Sequence, residues 1–482
     1  MEHENAWMGY EQEQLEQVEA LSEDYKDFLS KGKTERECVK LVEEAAGEKG
    51  FVSLWEKIEK GEGLRPGDKV YASFMNKAVL LAVIGRKPIK EGMNILGAHI
   101  DSPRLDLKQN PLYEDGGIAL LDTHYYGGIK KYQWVTIPLA MHGVVAKKDG
   151  SVVEINIGDK QGDPVFCISD LLVHLSAEQL EKKARLVITG ENLDVIVGNR
   201  PLAEEEEKPE DEKPQKEQAE DEKKRRAPKE GVKNHVLALL RQHYDISEED
   251  FLSAELEIVP QGPARDCGLD RSMILAYGHD DRVCAYTSLR AILELENPEK
   301  TGLCILVDKE EIGSVGATGM HSHFFENTVA EIMNLAGEYT ELNLRRALAA
   351  SCMLSSDVSA AFDPGYASAF EKKNAAFLGC GLVFNKYTGA RGKSGSNDAS
   401  AEYMAAVRRV MEKGNVVFQT AELGRVDLGG GGTIAYIPAQ YGMRVIDSGV
   451  ALLNMHAPWE IASKADVYEA YKGYKAFLAY ME

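Results

Sequence analysis

Five short segments carry side chains that ligate metals or move protons: AHID with His99 and Asp101, GHDDR with Asp280 and Asp281, VDKEEIGS with Glu310 and Glu311, SSDVS with Asp357, and LLNMHAPWE with His456. Two imidazoles with three or four carboxylates suit a pair of borderline divalent ions, and one carboxylate can bridge both. Paired metals polarise a carbonyl and lower the pKa of a shared water, and a free carboxylate must then carry the proton. Adjacent residues leaving a strand point different ways, so one of Glu310 and Glu311 can ligate while the other stays free as general base. Each segment also has a structural reading. An Asp-Asp pair at a strand end can cap a helix, as can Asp357 after two serines, and Glu-Glu at a helix start can complement the dipole. Five such endings in one chain favour a metal-dependent hydrolase over five unrelated caps.

The glycine run 429–432 in DLGGGGT lacks both the GKS/T ending of a phosphate-binding loop and the spaced glycines of a dinucleotide fingerprint. A backbone that closely approaches a ligand or the metal site is the better account. Cys284 has no histidine at a telling spacing and reads as packing.

The elements that must position these groups follow from local pattern. Thr34 with Glu37 is a capping-box signature, and Cys38, Leu41, Val42 and Ala45 follow at helical spacing. Strand-like runs occupy 78–85, 93–100, 273–276, 303–307, 348–354 and 449–455, and a helix opened by Ser463 places Val467, Tyr471, Tyr474 and Leu478 toward a core. Buried strands alternating with helices predict an α/β layer, in which ligands collect at the carboxyl ends of strands. Residues 103–255 differ in texture. The runs 143–146 and 152–157 flank Lys147-Lys148-Asp149-Gly150, a hairpin signal, with Val153, Ile155 and Ile157 on one face. This predicts a β-rich domain inserted between catalytic parts 1–102 and 256–482. Residues 203–230, nearly all charged, Pro, Gln or Ala, predict a mobile loop.

With 482 residues, 44% hydrophobic and 28% charged, the chain reads as a soluble protein of more than one domain. Its formal charge of -22 repels nucleic acid and anionic membranes, and no apolar run approaches a bilayer span. Neither is expected as a partner. Residues 1–14 lack the charged and apolar regions of a secretory signal, and seven scattered cysteines read as reduced core thiols, so a cytoplasmic location is expected.

The stretches KTERE, GAHIDSPRLDLK, YYGGIKKYQWVTIPL, GHDDRVCAYTS, DKEEIGSVGATGM, SSDVSAAFDP and NMHAPWE together resemble the aspartyl aminopeptidase family, which includes vacuolar aminopeptidase I. The similarity spans nearly the whole chain except the charged loop. It implies a mixed central sheet flanked by helices, like that of zinc exopeptidases, with an inserted β-rich dimerisation domain. It implies two divalent metal ions per subunit, Zn2+ first with Co2+ or Mn2+ compatible, with Asp280 as the bridging ligand. His99 and Asp357 would complete one site, and Glu311 and His456 the other. Asp280 is preferred to Asp281 because the related fold places the bridging carboxylate four residues before the small residue found here as Cys284.

By the same resemblance Glu310 is the general base, Asp101 orients His99, and His174 reaches the active site of a neighbouring subunit. The expected substrates are short unblocked peptides, and the expected assembly is a homo-oligomer, a dimer-based tetrahedral dodecamer. Where animal members carry another histidine near His174, this chain has Asp170, and the run 429–432 also departs from their pattern. Lys386 and Lys393 are candidates to attract an acidic N-terminal side chain. Two rival readings are a metal-dependent deacylase of N-blocked amino acids and an assembly scaffold without catalysis.

Overall fold

A computed structural model of the chain describes residues 4–202 and 229–482. The charged segment 203–230 lies, but for its last two residues, outside the described residues. The chain forms two compact units, one of Met1–Pro103, Tyr126–Ile129 and Gly262–Glu482, the other of Arg104–Tyr125 and Lys130–Gln261. The boundary read at 255/256 falls inside the strand Ala254–Pro260, which pairs along its length with Leu139–Ala146 of the second unit.

The first unit is built on a mixed nine-stranded sheet whose middle strands run Gly302–Val307, Asn94–His99, Cys352–Ser356 and Arg444–Gly449, all parallel. Ala78–Val83 joins one side antiparallel and Leu382–Asn385 the other. The middle strands read as continuous apolar runs because both faces are covered. Alternation sorts their side chains: Leu96, Ala98, Cys304 and Leu306 enter one core, and Ile95, Leu303, Ile305 and Val307 the other. The first core packs under helices Gln12–Lys31, His279–Leu293 and Lys464–Tyr480, the second under Phe324–Leu335 and Glu341–Ala350. Each fully buried Leu, Ile or Val contributes about 1.5–3 kcal/mol against the entropy of ordering it.

The capping box is formed as read, with Thr34 accepting from Glu37 N and opening the helix Glu35–Glu48. Ser463 is the N-cap of Lys464–Tyr480, although its side chain makes no capping bond. The run 348–354, read as one strand, is divided. Leu344, Ala347 and Leu348 form the buried stripe of the helix Glu341–Ala350, and only Cys352–Ser356 is strand. A short apolar run looks alike in a buried helix end and a buried strand.

The second unit carries a six-stranded sheet, ordered Val152–Ile157, Leu139–Ala146, Ala254–Pro260, Arg104–Asp115, Ile118–Tyr126, Val195–Gly198. The hairpin pairs Ala146 with Val152, and Ile155 and Ile157 are buried on one face as their alternation requires. Among the described residues no helix is long and apolar enough to cross a membrane.

Candidate metal centre

Three neighbouring parallel strands deliver the first groups. Val307 is level with His99, and Ser355 with Gly97, so the chain leaves all three strands at one edge of the sheet with His99, Glu310-Glu311 and Asp357 together. Asp280 and His456 arrive differently. They follow Met273–Ala276 and Ala451–Leu453, which belong to a separate five-stranded sheet and flank its strand Glu460–Ser463 on either side. Convergence of all five endings from a single sheet is thus corrected. The short runs ahead of GHDDR and NMHAPWE find antiparallel partners in each other's company, not in the main sheet.

At the centre sits the Asp280 carboxylate. His99 Nε2 lies 3.3 Å from its Oδ1, and His456 Nε2 lies 3.2 Å from its Oδ2. Glu310 Oε2 and Asp357 Oδ1 are 3.8 and 3.9 Å from His99 Nε2, and Glu311 Oε2 is 3.6 Å from His456 Nε2. The triads His99–Asp280–Asp357 and Asp280–Glu311–His456 each present ligand atoms within 4.8 Å of one another. A third triad, His99–Glu310–Glu311, meets the same test.

The electrostatics are those of crowded carboxylates. Burial pushes Glu310 up to about 7 against the pull of His99, with Asp280 and Asp101 adding to the rise. Burial and then Asp280 hold Glu311 well above the usual carboxylate range, and burial and then Glu310 do the same to Asp357. Asp280 goes the other way: burial opposes ionisation, but His456 and His99 outweigh it. Burial works to lower His456, yet the Asp280 carboxylate raises it to about 10. Crowding thus favours the protonated form of Glu310, Glu311 and Asp357, and divalent cations held here would displace such protons. Two buried donor atoms, His99 Nε2 and Glu311 Oε1, make no hydrogen bond and are free to ligate. A donor set of imidazole nitrogens and carboxylate oxygens fits zinc.

Supporting contacts hold this array, and several were not legible in sequence. Asp101, fully buried, lies 3.3 Å from His99 Nδ1 through Oδ1. Its two oxygens also accept from the amides of Glu310 and Glu311 at 3.2 Å and from the Tyr126 hydroxyl at 2.8 Å. It therefore fixes the turn that presents both glutamates as well as the imidazole. Glu460 does the same for the other sheet, accepting from Asp280 N at 3.0 Å and His456 N at 2.7 Å. His456 Nδ1 bonds the Gly128 carbonyl at 2.8 Å, which leaves Nε2 to face the carboxylates. Gly278, at φ +77, opens the turn before Asp280, and a Cβ there would lie 1.9 Å from Arg282 Nη1. The only sequence signal for Glu460 was its place in NMHAPWE.

Asp281 turns away from the others: its Oδ2 is buried 3.4 Å from His99 N, which donates to it. The glycines 430–432 line a cavity of about 510 Å³ with Asp280, Glu310, Glu311, Asp357 and His456, a close approach of backbone to the site as their composition suggested. Cys284 is buried in the core, and of the seven free cysteines Cys167 and Cys267 are half-buried. Lys386 and Lys393 both pair with Asp398 and do not line the cavity. His174 belongs to the second unit, on the exposed turn Val173–Leu175.

Imidazoles and carboxylates gathered at the strand ends of two sheets form a site suited to a metal-dependent hydrolase. Comparison with known proteins narrows the class. The family model described as "Aminopeptidase I zinc metalloprotease (M18)" matches residues 28–478. The "Probable M18 family aminopeptidase 1" of Clostridium acetobutylicum is 59% identical over 477 residues, 99% of this chain and 98% of that one. Its namesake in Thermotoga maritima is 46% identical over 479 residues, 99% of each chain. The crystal structure of an M18 aminopeptidase from Thermotoga maritima superposes with a TM-score of 0.90 at 46% identity, covering 99% of both chains. That of aminopeptidase I from Clostridium acetobutylicum gives 0.88 at 56% identity, again over 99% of both. The chain belongs to the M18 family of zinc aminopeptidases, and its activity is that of a metallo-aminopeptidase.

Proposed function

We propose that the chain hydrolyses the first peptide bond of short, unblocked peptides at a site of two divalent ions, zinc in the first instance with cobalt and manganese compatible. Asp280 would serve both ions, His99 and Asp357 would hold one, and Glu311 and His456 would hold the other. One observation carries this reading: the two imidazoles address opposite oxygens of a single carboxylate, at 3.3 and 3.2 Å. When bound, such ions polarise the scissile carbonyl and lower the pKa of the attacking water.

Glu310 takes the proton of that water and delivers it to the leaving amine. It lines the cavity while its neighbour Glu311 joins the His456 triad, which leaves its carboxylate placed to take a proton and return it. Asp101 holds His99 and the Glu310-Glu311 turn in register. His174 of a neighbouring subunit would donate to the developing oxyanion. Its exposure beside exposed Leu171, Leu172, Val173 and Leu175 supports a partner-facing role. A homo-oligomer, a dimer-based tetrahedral dodecamer, is proposed on that ground, and a yeast aminopeptidase of the same fold, 20% identical, has been solved as a dodecamer. We place the enzyme in the cytoplasm, with the insert 103–255 serving assembly.

The test is release of N-terminal residues from free-amine peptides by the zinc-loaded chain beside Glu310→Gln. We expect the variant to keep its metal and lose about 10²–10⁴-fold in kcat. A variant that keeps both metal and turnover removes Glu310 from the mechanism, and cleavage confined to N-acetylated substrates favours a deacylase.

A further inference from the structure

One wall of the cavity is made of backbone. Gly430, Gly431, Gly432 and Thr433 line it, next to Thr388 and Leu423. Gly429 and Gly430 have reasons inside the protein for being glycine: a Cβ at Gly429 would lie 1.8 Å from the Leu423 carbonyl oxygen, and Gly430 takes φ +103. Gly432 has neither reason. Its backbone conformation is open to any residue, and among the described residues a Cβ there would meet nothing within 4 Å. The missing side chain therefore leaves room on the cavity side for something other than this chain.

The amides of the run divide in the same way. Gly430 N donates to the Leu423 carbonyl at 2.8 Å and Gly431 N to the Thr388 carbonyl at 3.0 Å. Gly432 N and Thr433 N make no hydrogen bond among the described residues. Glycines offer no side chain to anchor such a wall, and the first anchor after them is the Thr433 hydroxyl, which donates to Asp447 Oδ1 at 2.5 Å. Asp447 is buried in the strand Arg444–Gly449, in register with Ser355 on one side and Asn385 on the other. Its Oδ2 makes no hydrogen bond to the described residues, so the carboxylate costs the fold more than an apolar residue such as its neighbour Ile446 would. What it provides in return is the bond that ties a wall without side chains to the core of the sheet.

We infer that Gly432 and Thr433 present their backbone amides to main-chain carbonyl oxygens of the bound peptide, and that Asp447 is the positioning residue that fixes them through the Thr433 hydroxyl. The inference rests on the aminopeptidase reading above and adds where the peptide main chain is gripped. A backbone amide fixes the orientation of a main chain whatever side chains that chain carries.

The experiment measures kcat and KM of the zinc-loaded full chain on the free-amine peptide that the wild type cleaves fastest, with zinc content and melting temperature alongside. Gly432→Ala adds a methyl group that the fold accommodates, so melting temperature and zinc content should hold while KM rises about 10-fold or more. Thr433→Val should raise KM about 2–10-fold with kcat within about 2-fold, and Thr433→Ser, which keeps the hydroxyl, should restore it. Because Thr433→Val leaves Asp447 unpaired, the double variant Thr433→Val with Asp447→Val separates the roles. A merely structural bond predicts that removing both polar partners restores KM together with the melting temperature, whereas positioning predicts that KM stays raised after the fold recovers. Unchanged KM in Gly432→Ala, or recovery of KM in the double variant, overturns the inference and leaves the mechanism standing. No cleavage of any peptide by the wild type overturns both. Where Thr433→Val fails to fold, Gly432→Ala decides the matter.

Discussion

Replacing Asp101 by Asn tests whether one buried carboxylate organises both the His99 imidazole and the glutamate turn. The side chain is inaccessible to solvent, and its oxygens meet donors on both sides, Glu310 N with His99 Nδ1 at one and Glu311 N with the Tyr126 hydroxyl at the other. Asparagine fits the space but turns one acceptor into an amide NH2 donor. That NH2 is best tolerated beside Tyr126, whose hydroxyl can rotate to accept. The Glu311 amide then loses its partner, a hydrogen bond to a charged acceptor that is worth about 1.5–3 kcal/mol. His99 Nδ1 keeps an oxygen beside it and its bond to the Asp101 carbonyl at 3.0 Å, so the effect on zinc runs through the Glu310-Glu311 turn, and a loss of that size corresponds to about 10–100-fold in metal affinity. Zinc dissociation constants from competition with a chromophoric chelator, alongside the melting temperature of the apo protein, provide the assay. Zinc binding within about 2-fold of wild type in a variant whose apo fold is equally stable would refute the reasoning.

Glu460→Gln should weaken metal binding chiefly on the His456 side, because glutamine offers one acceptor where Asp280 N and His456 N each use an oxygen. The expected loss is about 1–3 kcal/mol, and unchanged zinc stoichiometry and affinity would count against it. Away from the site, burial raises Asp466 to about 8, against the amides of Gly379 and Gly381 that donate to it. An unfolded aspartate titrates near about 4, so between roughly pH 4 and 8 the native state holds the extra proton. Stability associated with this group is complete below that window and falls by about 1.4 kcal/mol per pH unit as pH rises through it. Denaturant unfolding at several pH values should show a flatter slope for Asp466→Asn, and identical slopes would remove Asp466 as the cause.

What the sequence by itself determined is what neighbouring residues decide among themselves. The Thr34–Glu37 box starts its helix and the Asp149-Gly150 turn closes its hairpin because partners a few residues apart meet whatever the rest of the chain does. The chemical types of His99, Asp280, Glu310, Glu311, Asp357 and His456 were likewise readable, since strand ends followed by ligating side chains form a local pattern. Tertiary structure decided which pieces share a surface. Asp101 reaches the amides of Glu310 and Glu311 across more than two hundred residues, and Glu460 ties Asp280 to His456 across a sheet that no spacing announced. Lys386 and Lys393 are plausible anion binders in one dimension and an Asp398 ion-pair cluster in three. The physical reason is common to all: a carboxylate's role depends on which donors and cations lie within about 4 Å of it, and for distant segments only packing sets that distance.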